Sequence, residues 1–101
     1  MALVVYSERA LRDFDRILDF VRAADPVVAA KVVDAIGDAI SVLARHPLIG
    51  RPAEKGLHEL LISRGKTGCA ALYRYLETAD RVLVLALRHQ REAGYESPLE
   101  P

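Results

Sequence analysis

The chain has one cysteine, Cys69, so an internal disulfide is impossible and a cysteine-based metal cluster is excluded. Long apolar runs are missing as well; none approaches the roughly 18 residues that would suggest a membrane span. The stretch from Met1 to Glu8 has neither a basic segment nor a long apolar core, unlike a secretory leader. The expected compartment is therefore the cytoplasm, with no membrane partner. There is no surplus of charge either, since Lys plus Arg is 14 and Asp plus Glu is 14. A protein held to nucleic acid by bulk charge carries a clear basic excess, so that mode is set aside. Internal repeats and low-complexity blocks are absent. His46 and His58 lack a second ligand at metal spacing, and neither a metal nor another cofactor is expected.

What is present is an ordinary globular composition. Of 101 residues, 51 % are apolar and 28 % charged, which predicts one domain spanning 1–101. A chain of this size buries about 60–70 % of its unfolded surface, enough to fold without staples.

Leu3-Val4-Val5-Tyr6 reads as a short strand ending at Ser7, a helix N-cap. From Glu8 to about Ala23, Leu11, Phe14, Leu18 and Val21 recur at helical spacing, while Arg9, Arg12, Asp13, Arg16 and Asp19 form the expected polar side. Asp25-Pro26 restarts the chain as a cap followed by a tolerated first-turn proline. A second helix then runs to about Arg45, with Ala29, Val32, Val33, Ile36, Ile40 and Leu43 on one face. Arg45 and His46 suit its negative end and Pro47 stops it. So short a link makes the two helices an antiparallel hairpin.

The segment His46 to Gly56 reads as a loop. Three strand candidates follow, Leu57 to Ser63, Gly68 to Leu76 and Arg81 to His89, with turns at Gly65 to Gly68 and Thr78 to Asp80. The last strand is apolar enough to be central and covered on both faces. Residues 92–101 read as a loose tail. The fold class is α+β in the order β-α-α-β-β-β: a strand, then a helical hairpin packed on a small antiparallel sheet.

Four stretches, in order along the chain, carry a resemblance. They are Ser7, Glu8, Ala10 and Asp13 after the first strand; His46 to Pro52 (His-Pro-Leu-Ile-Gly-Arg-Pro); Leu72 to Tyr75 (Leu-Tyr-Arg-Tyr); and Leu87 to Tyr95. Together they resemble the RelE/ParE superfamily of toxins from type II toxin–antitoxin pairs, nearer the ParE, plasmid-stabilisation branch. The resemblance implies the fold above and a cognate antitoxin that masks the toxin. It also offers two activities. ParE-like members inhibit growth by binding DNA gyrase, whereas RelE-like members are ribonucleases that cut messenger RNA on the ribosome.

Cleavage of that kind needs a group to take the 2′-hydroxyl proton, cations for the charge building on phosphorus and an acid for the leaving oxygen. By resemblance, His89, Arg91 and Tyr95 would be the catalytic residues if the chain is a ribonuclease. Target or antitoxin binding falls to Arg64, Lys66, Arg74, Arg88 and Arg91. Between Arg64 and Arg91 six basic residues face two acidic ones, a local surplus of four in a neutral chain. The ribonuclease branch, however, carries an arginine two residues after the glycine that opens the middle strand. Here Gly68 is followed by Cys69 and Ala70. Losing one such clamp costs roughly 2.7–4 kcal/mol of barrier. The plainer readings make His89 a structural hydrogen-bonding residue, Arg74 a solvated strand position and Cys69 a small buried hydrophobe. The expectation is a gyrase-binding toxin, with the ribosome-dependent ribonuclease as the alternative.

Overall fold

A computed structural model describes residues 1–62 and 68–89. The chain runs β1 (Leu3–Tyr6), α1 (Glu8–Ala24), α2 (Pro26–Arg45), β2 (Arg51–Pro52), β3 (His58–Leu61), β4 (Cys69–Leu76) and β5 (Arg81–His89). Capping sets both helix starts. The Ser7 hydroxyl accepts the Ala10 N–H at 3.0 Å, and the Asp25 carboxylate accepts the Val27 N–H at 3.0 Å with Pro26 in the first turn. None of the described helices is long and apolar enough to cross a membrane.

The strands form one sheet in the order β1-β5-β4-β3-β2, with the helical hairpin packed on one face. The α+β architecture is the one expected, but the sheet is mixed. β4 pairs antiparallel with β3 and β5, while β1 runs parallel to β5, from Leu3 opposite Arg81 to Tyr6 opposite Val84. The hairpin carries the chain away from β1 and back across the same face, so the last strand can return alongside the first in the same direction. The expected 46–56 loop also holds a short strand, because Arg51 and Pro52 pair with Glu59 and His58.

Val4, Tyr6, Cys69, Ala71, Tyr73, Val82, Val84 and Leu87 meet Ala10, Ile17, Leu18, Val21, Ala29, Val32, Ile36 and Leu43 in the main core. Three helix positions lie on the side opposite to the one expected. Leu11 lies on the solvent side at 52 % exposure, and Val33 is exposed too, whereas Asp13 is buried. The face of α1 that meets the sheet is centred on Ala10, Asp13 and Ile17, rotated from the stripe that hydrophobicity alone picks out.

β5 does sit inside the sheet, but its far face is only partly covered, with Leu83 and Leu85 half-buried. That strand carries a bulge: Tyr73 pairs with Val84 and Leu72 with Ala86, leaving Leu85 as an extra residue. Val82 and Val84 point to the helices, and past the bulge Leu87 takes up that side again. Ala86 joins Leu57 and Leu72 in a small cluster on the opposite face. The 92–101 tail, and residues 65–67 of the turn expected from Gly65 to Gly68, lie outside the described residues.

Candidate functional site

Neighbouring strand residues face opposite sides of the sheet, and the bulge decides which side Arg88 and His89 each take. Arg88 pairs across Ala70 on the open face, away from the helices. His89 is buried between sheet and α1, with its ring 5.6 Å from that of Phe20. A strictly alternating strand would have exchanged these two positions.

Arg74 shares the open face with Arg88. It lies four residues along β4 from Ala70, roughly 14 Å at strand rise. Its guanidinium donates to the Lys55 carbonyl at 3.2 Å, close to the left-handed turn at Lys55 and Gly56. Between the two arginines, Glu59 stands opposite Leu72. Its carboxylate accepts from Arg51 at 2.6 Å and faces the Arg88 Nε at 4.0 Å. These side chains form an open-face strip of three arginines with one carboxylate set among them. Arg64, Lys66, Arg91 and Tyr95 lie outside the described residues.

Two locks hold this strip to the core. At the first, Tyr73, fully buried, accepts the Gly50 N–H on its hydroxyl at 2.9 Å and stacks on the His58 ring at 5.6 Å. A Cβ at residue 50 would lie 2.7 Å from that hydroxyl and 2.8 Å from the Glu59 carbonyl, so only glycine lets the two strands approach. The glycine of the His46 to Pro52 stretch thereby places Arg51 beside Glu59. Burial pushes the Tyr73 phenol above its usual value, and the bond from Gly50 works against that shift.

At the second lock, β1 ends at Tyr6 while β5 continues, leaving the far half of β5 without a strand partner on that side. Side chains from α1 and its cap replace the strand. Ser7 Oγ donates to the Leu85 carbonyl at 3.1 Å, and the Asp13 carboxylate accepts the Leu87 N–H at 3.0 Å. Arg16 and Arg9 flank Asp13 at 3.4 and 3.9 Å, so the buried charge is both paired and hydrogen-bonded. The Ser7…Asp13 spacing is therefore a structural device that fixes the bulged end of β5 and aims Arg88 outward. Sequence periodicity places Asp13 on the polar side and misses this role. A carboxylate six residues past a helix cap and one turn from each of two arginines is the only trace it leaves.

Tyr75, partly exposed, donates to Asp80 at 2.8 Å across the β4–β5 turn, and that bond holds its phenol above the usual value. Asp80 takes a left-handed φ of 48° there. Among the described residues no group of three or more His, Cys, Asp or Glu is placed to hold a metal ion.

Residues 4–94 match the family model described as ParE toxin of type II toxin-antitoxin system, parDE. Over 92 residues the chain is 29 % identical to toxin RelE3 of Caulobacter vibrioides, covering 91 % of this chain and 98 % of that one. It is 43 % identical to Y4kP of Sinorhizobium fredii over 56 residues, and that match spans only 58 % of the relative's length. Among solved structures, the chromosomal ParDE toxin–antitoxin system of P. aeruginosa superposes with a TM-score of 0.71 at 24 % identity, covering 88 % of this chain and 96 % of the other. The RelBE2 toxin–antitoxin complex of Mycobacterium tuberculosis gives 0.61 at 25 % identity, covering 90 % and 93 %.

Proposed function

The chain belongs to the ParE toxin family of type II toxin–antitoxin systems, and from that premise we propose that it arrests growth by binding DNA gyrase in the cytoplasm. A cognate antitoxin neutralises it. The observation that carries the choice of target is the start of β4. Where the ribonuclease branch sets a phosphate-clamping arginine, Cys69 and Ala70 are small and each only 2 % exposed. The neighbouring histidine gives no substitute. His89 packs against Phe20 on the helix side, whereas Arg88 points to the open face. A proton carrier and a phosphate-holding cation must meet one scissile group, and these two are on opposite sides of a sheet.

The open-face arginines suit contact with a protein surface. Arg74 and Arg88 are presented by the sheet and spaced along it, and the exposed Leu61 adds apolar surface beside Arg88. Arginine beside apolar surface is the usual composition of an interface centre. Arg64, Lys66 and Arg91 extend the proposed binding set, while His89 takes a structural role.

The test is a supercoiling assay with purified toxin and gyrase. Inhibition at micromolar toxin, reversed by the antitoxin, is the expected result. New codon-linked ends in primer extension on messenger RNA, with supercoiling untouched, would replace this reading by the ribosome-dependent ribonuclease.

A further inference from the structure

A cleft of about 350 Å³ lies between the segment after α2 and the neighbouring ends of β3 and β5. Ile49, Gly50, Arg51, Glu59, Leu61 and Arg88 line it. Its walls are aliphatic, and Ile49 and Leu61 are each more than half exposed. Its polar part is the Arg51–Glu59 pair with Arg88 behind it. The Arg51 side chain is 78 % exposed and the Glu59 side chain 15 %, so the guanidinium can be reached from solvent while the carboxylate lies deeper.

This chemistry does not suit a nucleic acid. One carboxylate between two guanidinium groups leaves a single net positive charge, and strand binding draws on several phosphate contacts together with stacking rings. None of the lining side chains is aromatic. It does suit a protein segment with an aliphatic residue to seat on Ile49 and Leu61 and a carboxylate to reach Arg51.

We propose that this cleft receives an acidic, aliphatic segment of the cognate antitoxin, and that Glu59 is an internal competitor for it. In the free toxin Glu59 occupies Arg51. The antitoxin's carboxylate takes over that guanidinium and must do so against the repulsion of Glu59. The proposal rests on the toxin–antitoxin reading above.

It makes a signed prediction, because removing the Glu59 charge from the toxin should tighten the complex. Calorimetric titration of the purified antitoxin into the wild-type toxin, Glu59→Gln, Arg51→Gln and Leu61→Asp tests it. Glu59→Gln should bind about two- to fivefold tighter and Arg51→Gln about two- to fivefold weaker at low salt. Both differences should shrink at about 1 M salt, where the screening length is ~3 Å. Leu61→Asp, on an exposed side chain that folding does not require, should weaken binding about tenfold by setting a like charge before the incoming carboxylate. Thermal melts of each variant establish that it is folded.

Unchanged or weaker binding by Glu59→Gln overturns the proposal and leaves the toxin reading intact. Unchanged antitoxin affinity across all three variants, with altered gyrase inhibition, gives the cleft to the target and overturns the antitoxin assignment. An antitoxin that does not bind the wild-type chain overturns the proposal and the toxin reading together.

Discussion

Asp13 carries more of the fold than its place in a charged helix suggests. Its carboxylate closes the Leu87 N–H that β1 is too short to reach and is itself flanked by Arg16 and Arg9. Asp13→Ala leaves a buried donor unmade and should lower stability by about 1–3 kcal/mol in urea unfolding, more than Asp13→Asn, which can still accept. Tyr73→Phe strands the Gly50 N–H in the same way and should cost a similar ~1–3 kcal/mol. Gly50→Ala should also destabilise, through overpacking against the Tyr73 ring and the Glu59 backbone. The tyrosines set the alkaline limit. Burial raises the phenols of Tyr73 and Tyr6, and the Asp80 bond raises that of Tyr75. The unfolded chain loses these protons first, near pH ~10. Stability is thus fully present below that pH and falls as pH rises through the folded values. Urea midpoints should hold from neutrality to pH ~9 and drop by pH ~11, and Tyr73→Phe should flatten the drop.

At the scale of elements, Ser7 serves two of them at once. It caps α1 through the Ala10 N–H and holds β5 through the Leu85 carbonyl. Ser7→Ala should therefore cost somewhat more than an ordinary cap, at or above the ~1 kcal/mol typical of one, measured by thermal unfolding. Ser7→Gly, which spares a cap but not the strand bond, separates the two contributions. The helices were legible because apolar spacing, the Asp25-Pro26 cap and the Pro47 stop all pointed one way. β1 and β5 were legible from their runs of branched and aliphatic residues. The Leu85 bulge was not, since nothing in Arg-Val-Leu-Val-Leu-Ala-Leu-Arg-His marks which leucine goes unpaired. The rotation of α1 was hidden too, because exposed Leu11 and buried Asp13 invert the hydrophobic rule.

Across the whole molecule, the helices and the open-face strip occupy opposite sides of one sheet, so a partner can cover the arginines without touching the hairpin. Expression of the toxin alone should arrest growth, and co-expression of the antitoxin should restore it, read as colony-forming units after induction. A paired Arg74→Ala and Arg88→Ala variant should relieve the arrest while keeping a near-wild-type melting temperature, since both side chains lie on the open face. The amino-acid order alone determined the element sequence, the helical hairpin and the family likeness, because these follow from local spacing, caps and short motifs. Only the tertiary structure decided that β1 lies parallel to β5, that Asp13 is a buried strand partner, and that Arg88 faces outward while His89 faces in. Each of these depends on where β1 stops against β5 and on one unpaired leucine, and such register between distant segments is settled by packing.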